Sequence, residues 1–314
     1  MANGQYYLDS ALTNLSQKWS NNSEDFIAEK VFPVIPVAKK SGKYWLYNKD
    51  NLRVGSTDID LRTGRSKTAE ATFGKSLNDF GPLAEHALKD FITKDEYDQE
   101  DAPLDVEADT VDFLNEKMAI AEELSLASVL TDTAIITQNT TLSGTSQWSD
   151  YANSSPFTDI KTAVTTMRAS AFQVPNTIVM GWDVWIQLVD HPDFLDRIKW
   201  SQTGVMTEAD FLKLFAPYGI KRLLIGKAMR NTAKEGQTDT LASIWGKNVI
   251  VCFVTDTPGL RKVNGGYTLR LRNGKYVDKH DEWDPKGSWV RNNDYYDQML
   301  FASELFYLIK NAVA

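Results

Sequence analysis

Tyr44-Trp45-Leu46-Tyr47, the run from Asn48 to Arg65, and then Ala71-Thr72-Phe73-Gly74-Lys75-Ser76-Leu77 form the stretch whose reading decides the fold. The first piece reads as a strand, and the last as a strand returning beside it. Between them lie turn formers and charges: Arg53, Gly55, Asp58, Asp60, Arg62, Gly64 and Arg65. The whole excursion, residues 38–85, is a long polar two-stranded ribbon with no core of its own. An isolated ribbon of this kind is marginal in water, and a loop this long within a compact domain usually has a function. It becomes stable by lying on a neighbouring chain.

Outward from the ribbon, Phe26 to Val37 contains Pro33 and Pro36, which forbid a helix and predict an extended, edge-like path. Residues 1–30 are polar and rich in Asn, Ser and Gln, and they read as an arm that docks elsewhere or stays disordered. On the other side, residues 103–131 give the clearest helix. Val111, Leu114, Met118, Ala121 and Leu124 recur at three- and four-residue steps, and Asp105, Glu107, Asp109 and Asp112 crowd its start.

From residue 156 the pattern becomes mixed α/β. A helix with Ile160, Val164, Met167 and Ala171 on one face precedes a short buried strand, Thr177 to Met180. Trp182 to Val189 reads as helical, and Thr207 caps a helix through Phe211 to Phe215. Lys221 to Ile225 and Val249 to Val254 are further strands. After Pro258-Gly259 the chain turns mostly β, with turn pairs Asn264-Gly265 and Asn273-Gly274 around Tyr267 to Arg272.

Composition narrows the function. Among 314 residues the formal net charge is -8, which argues against general binding to nucleic acid. The single Cys252 lies in an apolar run and predicts a buried, unreactive thiol without a disulfide partner. No stretch reaches the roughly 20 apolar residues of a membrane helix. Residues 1–20 lack the apolar core of a secretory signal, so the expected compartment is a reducing cytoplasm.

The residues offer little to catalysis. His86, His191 and His280 lie far apart with no ligand at metal-binding spacing, and no metal or cofactor is expected. His191, before Pro192, reads as a polar surface residue. Gly64 to Thr68 lacks the features of a phosphate loop, and no nucleophile elbow or dinucleotide fingerprint occurs. Glu122-Glu123 point about 100° apart on a helix, which predicts a solvated or interface face rather than a catalytic pair. The basic residues Lys39, Lys40, Lys43, Arg53, Arg62, Arg65 and Lys67 predict either phosphate binding or, preferred, contact with an acidic patch on a neighbour. Asp95, Glu96, Asp98, Glu100 and Asp101 supply such a patch. With Trp45, the residues Arg53, Arg62, Arg65, Lys67, Asp95, Glu96, Asp98 and Glu100 are the candidate subunit interface.

This order of elements resembles the major capsid proteins of tailed phages, which share the Hong Kong 97-type fold. Local stretches are similar too: Phe26 to Pro33, Ser41 to Tyr44, Asp101 to Asp105, and Gly287-Ser288-Trp289 through Tyr307 to Lys310. The resemblance implies an α+β phage capsid fold. Its parts would be an N-terminal arm and edge strand (1–37), an extended β-ribbon loop (38–85) and a peripheral domain with a long spine helix (86–154). An α/β axial domain (155–258) and a return to the peripheral domain (259–314) would follow.

The implied function is a structural coat protein, not an enzyme, that self-assembles through pentamers and hexamers into an icosahedral virion shell. The shell would form in the host bacterial cytoplasm around double-stranded DNA, without sequence-specific binding or a membrane. Scaffold, portal and decoration proteins are the partners it implies. Gly42, Gly55, Gly64, Gly74 and Gly81 lie where hinges would serve. Some relatives crosslink a loop Lys to a neighbour's Asn, but nothing here selects Lys67 or Lys75 with Asn292 or Asn293. The alternatives are an encapsulin-like bacterial nanocompartment shell and an α/β hydrolase or nucleotide-binding enzyme.

Overall fold

The computed structural model describes residues 20–47, 49–54, 60–62, 64, 65, 67, 68, 70–99, 105–199, 206–255, 257, 259 and 262–314. Its helices are α1 (Ala28–Val31), α2 (Lys94–Asp98), α3 (Val106–Leu130), α4 (Pro156–Ala171), α5 (Trp182–Val189), α6 (Pro192–Ile198) and α7 (Glu208–Phe215). The strands of the first half are β1 (Val34–Val37), β2 (Gly42–Tyr47), β3 (Lys75–Phe80), β4 (Ala84–Thr93), β5 (Asn139–Thr141), β6 (Thr177–Gly181) and β7 (Arg222–Gly226). Those of the second are β8 (Met229–Asn231), β9 (Leu241–Ser243), β10 (Val249–Cys252), β11 (Gly266–Leu271), β12 (Tyr276–Glu282), β13 (Gly287–Leu300) and β14 (Phe306–Lys310).

Two five-stranded sheets organise the chain. In the first, β13 is the axis, with β11 and β12 on one flank, β4 on the other, and β1 outside β11. In the second the order is β5-β14-β10-β6-β7. Strands β6 and β10 are buried on both faces and read as unbroken apolar runs. Helices α4, α5, α6 and α7 pack an aromatic-rich core around Phe157, Phe194, Phe211 and Phe215.

The second sheet takes strands from outside the expected axial range 155–258. Strand β14 pairs with β10, and β5 pairs with β14, so the chain's last strand returns to this sheet and not to the first. The cause is legible in β14 itself: Phe306 to Ile309 are all buried, as a central strand requires.

Helix α3 is 25 residues long, about 37 Å at 1.5 Å per residue. Asp105 caps it by accepting from the Ala108 amide at 2.9 Å, and Glu107 and Asp109 sit in the first turn. Its buried face differs from the expected one. Leu114, Glu123, Leu126, Ala127 and Leu130 are buried, whereas Ala121 is exposed and Val111, Met118 and Leu124 are half-buried. The helix lies across polar ground on the first sheet, so the apolar stripe does not track the contact face. Asn115 there accepts from the Asn292 amide at 2.7 Å, and Glu122 meets Arg270 at 2.8 Å.

The segment before β1 also departs from expectation. Ala28–Val31 forms one helical turn despite the prolines, because Pro33 lies beyond it and constrains only Phe32, which is extended (φ -109°, ψ 92°). Strand β1 is an edge strand paired only with β11, which accommodates Pro36. Residues 1–19 of the arm lie outside the described residues. Asn21 is docked, its amide donating to Glu116 at 2.8 Å and its side chain exchanging hydrogen bonds with Met229.

Candidate assembly surface

The ribbon forms as read, with the returning strand displaced to Lys75–Phe80. Its register runs antiparallel from Gly42↔Phe80 through Trp45↔Leu77 to Tyr47↔Lys75. The foot is fixed to the body: Tyr44 meets Phe301 edge-on at 4.8 Å, and Phe80 joins a small cluster with Leu83, Tyr267 and Leu269. At Gly81 (φ +86°) a Cβ would come within 2.3 Å of the Lys40 carbonyl, so this position admits only glycine. At Gly42 a Cβ would come within 2.6 Å of the Phe80 ring, so both of these expected hinge positions are closely packed.

Beyond the foot the ribbon exposes large apolar side chains. Trp45 is half exposed, with the Lys75 ammonium 4.4 Å from its ring centre. Leu52, Val54, Leu61 and Phe73 are each at least 65% exposed. Reciprocal 2.7 Å bonds between Asn51 and Gly74 hold the two arms together, and Arg53 pairs with Asp50 at 2.9 Å. Arg62, Arg65 and Lys67 are exposed. Lys49 reaches the body, contacting Glu304 at 3.0 Å and the Ser170 carbonyl at 3.1 Å.

The acidic candidates lie elsewhere. Asp95, Glu96 and Asp98 are exposed on α2, just past β4, and Glu100 lies outside the described residues. Glu96 closes a capping box with Thr93, whose amide and hydroxyl donate to it at 2.7 and 2.8 Å and hold its pKa below the usual value. Strand β13 separates the two groups: its start pairs with the end of β4 before α2, while its end leads to Phe301 and Glu304 beside the ribbon. Asn292 and Asn293 are buried and donate to Asn115 and Asp278 at 2.7 and 2.9 Å, which commits both amides within the chain.

Two ionic anchors escaped the sequence reading. Glu123, expected on a solvated or interface face, is 1% exposed. Its carboxylate accepts from the Ile27 and Ala28 amides at 3.0 and 2.7 Å and from the Trp245 indole at 2.5 Å, so it satisfies the start of α1. Arg270 gathers Glu29 at 2.7 Å, Glu122 at 2.8 Å and Asp294 at 3.1 Å, tying α1, α3, β11 and β13 together. Burial pushes the Glu122 carboxyl up, and Arg270 opposes that shift. The only sequence signal was an acidic pair set midway in an otherwise apolar stretch of helix.

His191 is also corrected. It is 1% exposed and caps α6, its Nδ1 accepting from the Asp193 amide at 3.1 Å. Its Nε2 lies 2.9 Å from the Ser154 hydroxyl, with a carboxylate nearby in sequence at Asp193, which superficially suggests a hydrolytic triad. The tautomer argues otherwise. With Nδ1 accepting, neutral His191 carries its proton on Nε2 and donates to Ser154, whose hydroxyl donates to the Asp150 carbonyl at 2.7 Å. A general base needs the opposite polarity. Among the described residues no three His, Cys, Asp or Glu side chains gather to hold a metal, and no helix is long and apolar enough to cross a membrane.

No family model matches the sequence. A protein named major capsid protein, from Burkholderia phage BcepMu, is 29% identical over 310 residues, covering 96% of this chain and 95% of its own. The crystal structure of a phage-related protein from Bordetella bronchiseptica matches with a TM-score of 0.70 at 23% identity, over 93% of each chain. The capsid of cyanophage P-SCSP1u matches with a TM-score of 0.64 at 12% identity, over 99% of this chain and 96% of that one. An encapsulin complex from Synechococcus elongatus shares the fold more distantly, with a TM-score of 0.53 at 9% identity over 98% and 96% of the two chains. Fold alone does not separate phage shells from encapsulins, whereas the similarity in sequence runs to the phage proteins. In sequence the chain is similar to phage major capsid proteins, and it shares the fold of phage capsid shells, the Hong Kong 97-type fold.

Proposed function

We propose that this chain is the repeating subunit of a phage head, assembling through rings of five and six into an icosahedral shell around double-stranded DNA. The observation that carries this reading is the ribbon: a two-stranded arm with Leu52, Val54, Leu61 and Phe73 largely bare and no core beneath them. Burying one such side chain contributes about 1.5–3 kcal/mol, and a shell repeats that contact at every subunit. The structural role of the relatives supports a non-enzymatic subunit. The acidic balance, with net charge -8, suits a container that holds DNA without gripping it. A scaffold, a portal and decoration proteins complete the proposed set of partners, and the virion is the proposed location.

Electron microscopy of the purified protein, alone and co-expressed with a phage scaffold protein, tests the reading. Closed shells, or rings of five and six, are expected. A subunit that remains monomeric in both settings, with its ribbon resistant to protease, overturns it. Shells that enclose a co-expressed enzyme through a short peptide and never take up DNA favour the nanocompartment alternative.

A further inference from the structure

A cavity of about 680 Å³ opens beside α4, where the end of β10 meets the starts of β6 and β7. That volume lies in the range of small-molecule sites. Its shape is fixed by hydrogen bonds. The Asn176 carbonyl accepts from the Lys221 and Arg222 amides at 2.8 and 3.0 Å. The Asn176 side chain donates to the Val254 carbonyl at 2.7 Å and accepts from the Val254 amide at 2.9 Å. One residue thus fastens the lining segments before β6, before β7 and after β10. Gly219 takes φ +95°, and a Cβ there would come within 2.5 Å of Val174, so the turn closes on that wall only as glycine. The Tyr218 ring is held by Phe157 and Phe215 at 5.8 and 6.3 Å. The cavity is therefore formed before a ligand arrives, which lowers the cost of binding one.

Its charge has one sign. Arg168 and Lys221 line the cavity, and Lys161, two turns before Arg168 on the exposed face of α4, lies 5.9 Å from the Tyr218 ring centre. Among the described residues no carboxylate lines the cavity, and none of these three cations is ion-paired. In a chain of net charge -8, such a gathering marks a place for an anion. The remaining wall is largely apolar, with Val164, Val174, Pro217 and Phe253. We propose that this cavity binds an aromatic phosphate of mononucleotide size, its phosphate held by Arg168 and Lys221 and its ring laid against the apolar wall. The site is built within one chain and does not depend on assembly. Selectivity follows from the same hydrogen bonds. Both ends of the Asn176 amide are taken by Val254, and the Thr165 and Thr255 hydroxyls donate to the Thr162 and Thr257 carbonyls at 2.9 and 3.4 Å. Few polar groups remain to read a base edge, so the ring is bound with little preference among bases.

Equilibrium dialysis of the purified protein against AMP, with GMP, CMP and inorganic phosphate as competitors, tests the site. Saturable binding of one AMP per chain is expected. GMP and CMP should compete within about tenfold of AMP, and inorganic phosphate, which lacks the ring, about tenfold or more weaker. Arg168→Gln with Lys221→Gln changes two exposed side chains and should weaken AMP by about tenfold or more. Thr165→Trp, also at an exposed lining position, keeps both cations but occupies the cavity with a ring. It should remove AMP binding while the near-ultraviolet circular dichroism of the fold persists. AMP binding that survives Thr165→Trp, or that inorganic phosphate displaces as well as GMP does, would assign the cations to loose surface attraction and overturn the proposal. So would the absence of saturable AMP binding, or binding of a duplex oligonucleotide through Arg168 and Lys221 where AMP fails to bind.

Discussion

His191 is sealed in the α/β layer with both ring nitrogens engaged, so its protonation is coupled to folding. Burial is the larger influence and lowers its pKa from 6.5, while the Asp193 charge opposes it. The unfolded chain then binds a proton at a higher pH than the folded one. Stability from this residue is fully present above the unfolded pKa near 6.5 and is lost as pH falls from there through the lowered folded value. His191→Asn retains an acceptor for the Asp193 amide but does not titrate. It is expected to lose about 1 kcal/mol at neutral pH through the weakened Ser154 contact. Between about pH 7 and 5 the wild type should lose more stability than the variant, read as the shift in urea midpoint. Equal shifts for the two would mean that His191 has no such linkage.

Helix α3 is held to its sheet by ions as much as by oil, and Arg270 is the centre of that contact. Its side chain is 18% exposed and faces three carboxylates, Glu29, Glu122 and Asp294. Arg270→Leu leaves Glu122 and Asp294 buried without their counter-charge and is expected to cost about 3–5 kcal/mol in chemical denaturation. Adding Glu122→Leu should restore part of that loss, because it removes one stranded charge; a double variant less stable than the single one would contradict this account. The helix itself was plain in the sequence, from the acids at its start and its apolar repeat. Which face it buries was not, because Glu123 and Glu122 find their partners at Ile27, Trp245 and Arg270, far away in the chain. The same holds for β14, whose apolar run marked a strand but not the sheet it joins. The ribbon was legible for the opposite reason: its pairing is local, Tyr47 opposite Lys75 across one excursion. The basic and acidic candidates were legible as charge alone, and their separation along β13 emerged only with the fold.

At the scale of the whole molecule, the body and the ribbon divide the work of folding and assembly. Among the described residues the two large cores draw none from 42–80, and only Phe80 and Tyr44, through its contact with Phe301, reach the small cluster at the foot. The body should therefore fold without the ribbon's outer part, and the register offers a clean place to cut. Tyr47 and Lys75 are opposed as the last pair of the ladder, so replacing residues 48–74 by Asn-Gly closes the strands with a two-residue hairpin turn. The deletion removes Leu52, Val54, Leu61 and Phe73, together with Arg65, Lys67 and the Lys49 contact to Glu304. None of these supports the cores, and a surface ion pair such as Lys49–Glu304 contributes about 0–1 kcal/mol. The shortened chain is expected to match the wild type in near-ultraviolet circular dichroism and to unfold cooperatively within about 1–2 kcal/mol of it. It should sediment as a monomer under conditions where the wild type forms shells. Shells built from the shortened chain would mean that the assembly energy lies in the body. Loss of the folded body would mean that the ribbon is part of the fold it was expected only to extend.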